Sequence, residues 1–199
     1  MRDLARAFME RHQPIARPDT GRWPSAVLIL LYERDGVDHI LFQVRTQQVE
    51  HHKGEISLPG GGRDPEDETL LHTALRETHE EIGVDPAHIK IYGQLDEVET
   101  PPNFLITPFV GAITVQGMYD FVPAAIEVAT LLEVPVPALL SAEVRQWTVP
   151  PDRSPLPAFR YGDYLIRGAT ALIVAQFIDK LVAAQRVAQR AAHASESPT

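Results

Sequence analysis

Five residues in one short stretch carry most of the chain's candidate chemistry: Glu68, Arg76, Glu77, Glu80 and Glu81. They lie in GRDPEDETLLHTALRETHEEIGV, residues 62–84. From about Thr69 to Ile82 no Gly or Pro interrupts the stretch, and Leu, Ala, Arg and Glu dominate it, so composition predicts a helix there. Gly83 suits the left-handed residue that ends a helix. Asp64 and Asp67 are both candidates for the N-cap. At about 100° per residue, Leu71, Ala74, Leu75, Thr78 and Ile82 share one face. Glu77, Glu80 and Glu81 fall together on the opposite face, with Arg76 at its edge. Like charges at such spacings cost about 0.2–0.5 kcal/mol per pair, and no basic residue stands four positions further on to offset them. Such a face is either a solvated acidic surface or a set of carboxylates converging on a hard divalent cation, which prefers oxygen ligands.

The wider spacing favours the cation. Gly62, five residues, Glu68, seven residues, Arg76-Glu77, then Glu80-Glu81-Ile82-Gly83-Val84 resembles the signature of the Nudix hydrolases. The match covers the whole motif. Its one departure is Thr78, where an aliphatic residue is usual; a threonine methyl still serves the core, at a small packing loss. The resemblance implies an α/β fold of the Nudix type, an α/β/α sandwich with a mixed β-sheet. It implies a metal-dependent pyrophosphohydrolase in which Glu77, Glu80, Glu81 and the carbonyl of Gly61 bind Mg²⁺ or Mn²⁺. Glu68 and Arg76 would support them, Arg76 as the ion-pair partner that orients a metal-binding glutamate. Glu80, Glu81 and Glu127 are the implied catalytic carboxylates, with either Glu80 or Glu127 as general base.

A second stretch bears on the substrate. Leu41–Gly61, LFQVRTQQVEHHKGEISLPGG, resembles the signature of the coenzyme A pyrophosphatase branch of that family. Leu41, Arg45, Gly54, Pro59, Gly60 and Gly61 match, while Phe42, Gln43, Thr46 and Leu58 depart mildly. Glu50 departs sharply, because it stands where the branch carries an arginine suited to phosphate. His51, His52 and Lys53 adjoin it and offer compensating charge. Arg45, His52, Lys53 and Arg63 are the candidate substrate-binding residues. Further likenesses to the branch, at 103–108, 127–135 and 157–170, extend the resemblance to roughly 25–177. It implies hydrolysis of coenzyme A or acyl-CoA. Two alternatives stand beside it: a pyrophosphatase of ADP-ribose or another dinucleotide, for which Pro101 is a weak signal, and a non-catalytic nucleotide-binding module of the same fold. A module of that kind tends to lose the acids that this chain keeps.

Composition bounds these readings. The net charge of −9 argues against non-specific nucleic-acid binding and means that cations must stand between this protein and an anionic substrate. With 44% apolar residues in 199, the chain can build one full core. It has no cysteine, hence no disulfide, thiol chemistry or Cys-based zinc site. No apolar run is long enough to span a bilayer, and MRDLARAFMERHQP lacks the apolar centre of a signal peptide. A cytoplasmic protein with a small nucleotide substrate and no membrane or nucleic-acid partner is expected, as a monomer or homodimer.

The supporting elements read as follows. A short N-terminal helix with Leu4, Phe8 and Met9 on one side precedes a lead-in to residue 24. Apolar strands are expected at 25–32 and 39–45, joined by a hairpin at Arg34-Asp35-Gly36. Others are expected at 55–58, 89–98, 104–115, 127–134, 143–149 and 159–166, with a short helix at 136–140. Pro108 places its strand at an edge or a bulge. A proline-rich linker at 150–157 and an amphipathic helix from Gly168 to about Arg190 follow. The hydrolase domain is expected over 25–190, with a disordered tail from 191.

Overall fold

The apolar run at 25–32 forms the middle of strand β1, Trp23–Arg34, in a computed structural model that describes residues 1–18, 21–46, 54–100, 103–149 and 154–195. Glu50, His51, His52, Lys53 and Pro101 lie outside the described residues. Asp35 and Gly36, with φ of 52° and 76°, turn the chain into β2, Val37–Arg45, as an Asp-Gly hairpin requires. The two arms pair only at 31–34 with 37–40. Beyond Leu31 and Ile40 they part, and the next segment fills the gap. Strand β3, Ile56–Ser57, pairs with β2 at Gln43 and Val44, and β4, Gly60–Gly62, pairs with β1 at residues 25–27.

Helix α1, Arg2–Met9, precedes these strands, and α2, Leu70–Ile82, follows them. A 3₁₀ turn at Pro86–His88 then leads to β5, Ile89–Gln94, β6, Val98–Thr100, β7, Phe104–Ile113, and β8, Val128–Pro135. After the short α3, Val136–Leu139, come β9, Arg145–Thr148, β10, Leu156–Tyr161, β11, Tyr164–Ile166, and α4, Gly168–Ser195. Strands β1 to β8 make one mixed sheet in which β7 runs parallel to β1, and β9 to β11 form a second, antiparallel sheet.

Alternation along β1 divides the core. Ala26, Leu28, Leu30 and Tyr32 share one face with Leu41, Phe109 and, from α2, Ala74 and Ile82. Ile29 and Leu31 share the other with Phe42 and Val110, with Ala5 and Met9 of α1, and with Val174, Phe177 and Leu181 of α4. Helices thus cover both faces of a mixed sheet, the α/β/α sandwich expected. Burying each large side chain stabilises by about 1.5–3 kcal/mol. Among the described residues no helix is long and apolar enough to cross a membrane.

Several expectations need correction. Strand β7 is interior, yet it holds Pro108. Leu95 N–H donates to the Pro108 carbonyl (2.8 Å), so Pro108 turns its backbone toward 95–97, where β5 has ended and β6 has not begun. No ladder donor is needed there, so its missing N–H costs little. That same interruption divides the strand expected at 89–98 in two. The strand expected at 159–166 is a hairpin turned at Gly162, φ 56°. Leu156 and Pro157, read as linker, already belong to β10, and α4 runs past Arg190 to Ser195. Phe177 is fully buried, its ring 5.8 Å from that of Phe8. Phe177→Ala should therefore lower the urea-unfolding free energy by about 3–5 kcal/mol; a loss under about 1 kcal/mol would mean that α1 and α4 do not share this core.

Candidate active site

Helix α2 starts eight residues after the glycines of β4, and its cap is neither aspartate considered above. Thr69 is the N-cap: its side chain accepts from His72 N–H, while Gly83 ends the helix at φ 72°. Asp67 is instead buried, 2% exposed, with a fully bonded carboxylate. It accepts from Arg76 Nε (3.0 Å) and Nη2 (2.9 Å), from Asp64 N–H (3.0 Å) and from Thr73 Oγ1 (2.9 Å). The Arg76 guanidinium beside it holds its carboxyl well below the usual carboxylate range, and Asp67 raises Arg76 in return. Arg76 also donates to Glu77 Oε1 (2.9 Å), Glu80 Oε2 (3.0 Å) and the Gly62 carbonyl (3.2 Å). One cation thus ties the glycine strand, the 64–67 turn and two glutamates of α2 together.

This changes the roles read from sequence. Arg76, four residues before Glu80, offsets the acid face that seemed to lack a counter-charge. The carboxylate buried against it is that of Asp67, whereas Glu68 is exposed. The Glu68 backbone N–H donates to His72 Nδ1 (3.4 Å) and its carbonyl accepts from Arg63 Nη2 (3.1 Å). Arg63, read as a substrate-binding cation, curls back onto the carbonyls of Asp67 and Glu68. Thr78 is fully buried, and its hydroxyl donates to the Ala74 carbonyl (2.6 Å), so its polar group is satisfied.

The acids of α2 are not a solvated stripe. Thr73, Ala74, Thr78, Glu81 and Ile82 are the buried residues of the helix, so Glu81 faces the sheet. It is 3% exposed and sits over the gap between β2 and β4. Gly60 N–H donates to its Oε2 (2.9 Å) and Arg45 Nη1 to its Oε1 (3.3 Å). Burial pushes the Glu81 carboxyl up to about 7, and the charge of Glu77 adds to the rise, against Gly60 N–H, Gln43 and Arg45. Glu77 lies over Gly61 so closely that a methyl on Gly61 would stand 2.5 Å from Glu77 Cδ and Oε1. Only glycine leaves room there. Burial raises Glu77 as well, Arg76 opposes this, and Glu80 and Glu127 add to it. Arg76 holds Glu80, whose side chain is 56% exposed. Among the described residues the three glutamates therefore do not form a single converging cluster.

The loop between β7 and β8 closes the site. Its Val122 and Ala124 N–H groups donate to the carbonyls of Ile82 and Glu81, satisfying the helix end. It then presents Glu127, whose Oε2 lies 3.5 Å from Arg45 Nη2. Arg45 thus joins Glu81 to Glu127. Glu77 and Glu81, two carboxylates whose proton affinity is raised by burial, one packed against a glycine backbone, fit a hard cation with oxygen ligands. Arg45, Gly61, Glu77, Glu81 and Glu127 are brought together, with Arg76 and Glu80 at the edge. Arg63 and Glu68 face away, and His52 and Lys53 lie outside the described residues. Asp67 was missed because nothing but its shorter side chain distinguishes it from Glu68 in sequence.

The family model described as the NUDIX domain matches residues 22–164. The mitochondrial coenzyme A diphosphatase of Homo sapiens is 32% identical over 154 residues, covering 75% of this chain and 65% of that protein. The peroxisomal coenzyme A diphosphatase of Mus musculus is 33% identical over 165 residues, covering 77% of this chain and 69% of that protein. The chain spans about two thirds of the length of these relatives. Among solved structures, a MutT/nudix family protein from Enterococcus faecalis has a TM-score of 0.55 at 14% identity, over 92% of this chain and 70% of that one, which is a likeness of fold.

Removing the Asp67 carboxylate would leave Arg76 short of its buried partner while Glu77 and Glu80 remain. Asp67→Ala is expected to destabilise by about 3 kcal/mol at pH 7 in denaturant unfolding. Because the Asp67 carboxyl is lowered on folding, its contribution is present above its ordinary range near 3.8 and lost as pH falls below it. The difference between wild type and Asp67→Ala should accordingly shrink on acidification; a difference that grows would reverse the assignment.

Proposed function

The chain belongs to the Nudix hydrolase family, and on that premise we propose that it hydrolyses the pyrophosphate bond of coenzyme A or an acyl-CoA, giving 3′,5′-ADP and 4′-phosphopantetheine. The observation that carries this reading is the packing of Glu77 on Gly61 beside Glu81, which is bound to Gly60 N–H and Arg45. That arrangement gathers anionic oxygens at a backbone with no side chain in the way. The Leu41–Gly61 stretch and the two coenzyme A diphosphatase relatives support the substrate.

Glu77, Glu81 and the Gly61 carbonyl are assigned to hold Mg²⁺ or Mn²⁺, with Glu80 joining them on release from Arg76. A divalent cation bound there would neutralise pyrophosphate charge and make a water more acidic. The protein's own groups do the remainder. Arg76 donates to Glu77 and Glu80 and so orients both carboxylates. Gly60 N–H and Arg45 fix the Glu81 carboxylate. Arg45, whose Nη1 donates to Glu81 and whose Nη2 faces Glu127, carries a second N–H on each nitrogen and is assigned to bind a phosphate oxygen as well. Glu127, 48% exposed and joined to Arg45, can meet a water from solvent and is assigned as general base. Water entering in line with the bridging oxygen then loses its proton to Glu127 as the anhydride opens.

The test is a product assay with Mg²⁺ or Mn²⁺ on coenzyme A, acyl-CoA, ADP-ribose, NADH and diadenosine polyphosphates, read by mass. Coenzyme A should be cleaved to the two products named; cleavage of ADP-ribose with coenzyme A spared would replace the substrate and keep the reaction. Glu81→Gln should retain the fold and lower turnover by about a hundredfold or more; undiminished turnover would remove Glu81 from the site. Since the Glu81 carboxyl titrates near 7 without metal, a proton competes with the cation below that pH. Calorimetry should find Mn²⁺ binding about tenfold weaker at pH 6 than at pH 8, and a pH-independent affinity would contradict a direct Glu81 contact.

A further inference from the structure

The split between β1 and β2 contains buried polar atoms that neither the fold nor the assigned chemistry accounts for. Gln43 is completely buried close enough to Glu81 to oppose the rise of its carboxyl, yet neither Oε1 nor Nε2 of its amide makes a hydrogen bond of ordinary length and angle. Ser57 Oγ and Arg45 Nε are likewise buried without partners. The pairing places these atoms together. Gln43 and Ser57 are opposite partners on β2 and β3, so their side chains share one face at about 4.5–5.5 Å between Cβ atoms. Arg45 follows a register shift in β2, and its guanidinium reaches Glu81 (3.3 Å) on that same side. Leu41 shows which face this is, since it packs with Ala74 and Ile82 of α2. All four orphaned atoms therefore lie under α2, behind the buried carboxylate that Gly60 and Arg45 hold.

Leaving buried polar atoms unpaired costs about 1–3 kcal/mol each. Donors and acceptors gathered in one enclosed space are what an internal water needs, typically about three hydrogen bonds. An apolar residue at position 43 would fill the same space without that cost, so a plain packing role does not explain the amide.

We infer that Gln43 is a positioning residue for Glu81, acting through an internal water that bridges the Gln43 amide, Ser57 Oγ and the Glu81 carboxylate. The bridge fixes the carboxylate from behind, while Gly60 N–H and Arg45 fix it from the sheet edge. This deepens the proposed function and rests on its assignment of Glu81 to cation binding.

Gln43→Leu keeps the shape and removes the amide. Relative to wild type, it should weaken Mn²⁺ binding, measured by calorimetry without nucleotide, by about tenfold. It should lower kcat to a similar extent with KM for the nucleotide unchanged, while the thermal midpoint stays level or rises. A structural role would instead lower the midpoint and leave Mn²⁺ affinity unmoved. Wild-type Mn²⁺ affinity in Gln43→Leu overturns the inference. If that variant does not fold, Ser57→Ala decides: weaker Mn²⁺ binding at an unchanged midpoint supports the bridge, and unchanged binding overturns it. If wild type itself binds no Mn²⁺ and cleaves no nucleotide, the cation site fails, whereas a wild type that does both beside an indistinguishable Gln43→Leu loses only the bridge.

Discussion

The pairing of Arg76 with Asp67 is the interaction on which the site depends. A buried ion pair gains little net stability unless its remaining donors and acceptors are satisfied. Here they are: Asp67 also receives the Asp64 N–H and the Thr73 hydroxyl, and Arg76 also reaches Glu77, Glu80 and the Gly62 carbonyl. The pair joins the 64–67 turn, β4 and α2, which are otherwise linked by the Thr73–Asp67 and Gly60–Glu81 hydrogen bonds. The 64–67 turn is polar, β4 has no side chains, and α2 presents mostly small or acidic residues toward them. With the pair in place, the orientation of Glu77 and Glu80 follows from one guanidinium whose position is already fixed.

The other constraint is the parting of β1 and β2. A hairpin paired to its ends would leave no room for Gly60–Gly62, and the backbone over which Glu77 and Glu81 lie would not exist. Because the arms diverge, β3 and β4 enter the sheet between them, and Gly60 N–H becomes available to a helix side chain. Glu81 is then seated among core residues. Its carboxyl is raised by burial and by Glu77, a local cost that the fold maintains at a functional site. A cation among these oxygens would relieve it. Gln43 and Ser57 belong to the same gap, which makes the unpaired amide part of the site's support and not a packing defect.

Much of this was legible in residue types. The unbroken apolar run at 25–32 marked β1 as a strand, Asp35-Gly36 marked the hairpin, and Gly83 marked the end of α2, because each rests on local sterics or on burial. What could not be read depended on partners remote in sequence. Pro108 signals an edge or a bulge, and it sits in an interior strand because 95–97 leave the ladder opposite it. Helical periodicity put Glu81 on the side away from the apolar face, whereas the gap in the sheet supplies polar atoms that let it turn inward. Asp67 and Glu68 are chemically near-equivalent in sequence; which one meets Arg76 is set by the length of one side chain and the turn that carries it.

The central claim is that Glu77, Glu81 and the Gly61 backbone form a cradle for a divalent cation. It is tested most directly by anomalous diffraction from crystals soaked in Mn²⁺. The expected result is a manganese peak bonded at about 2.1 Å to carboxylate oxygens of Glu77 and Glu81 and to the Gly61 carbonyl. Manganese bound elsewhere, or absent from this place at saturating concentration, would contradict it.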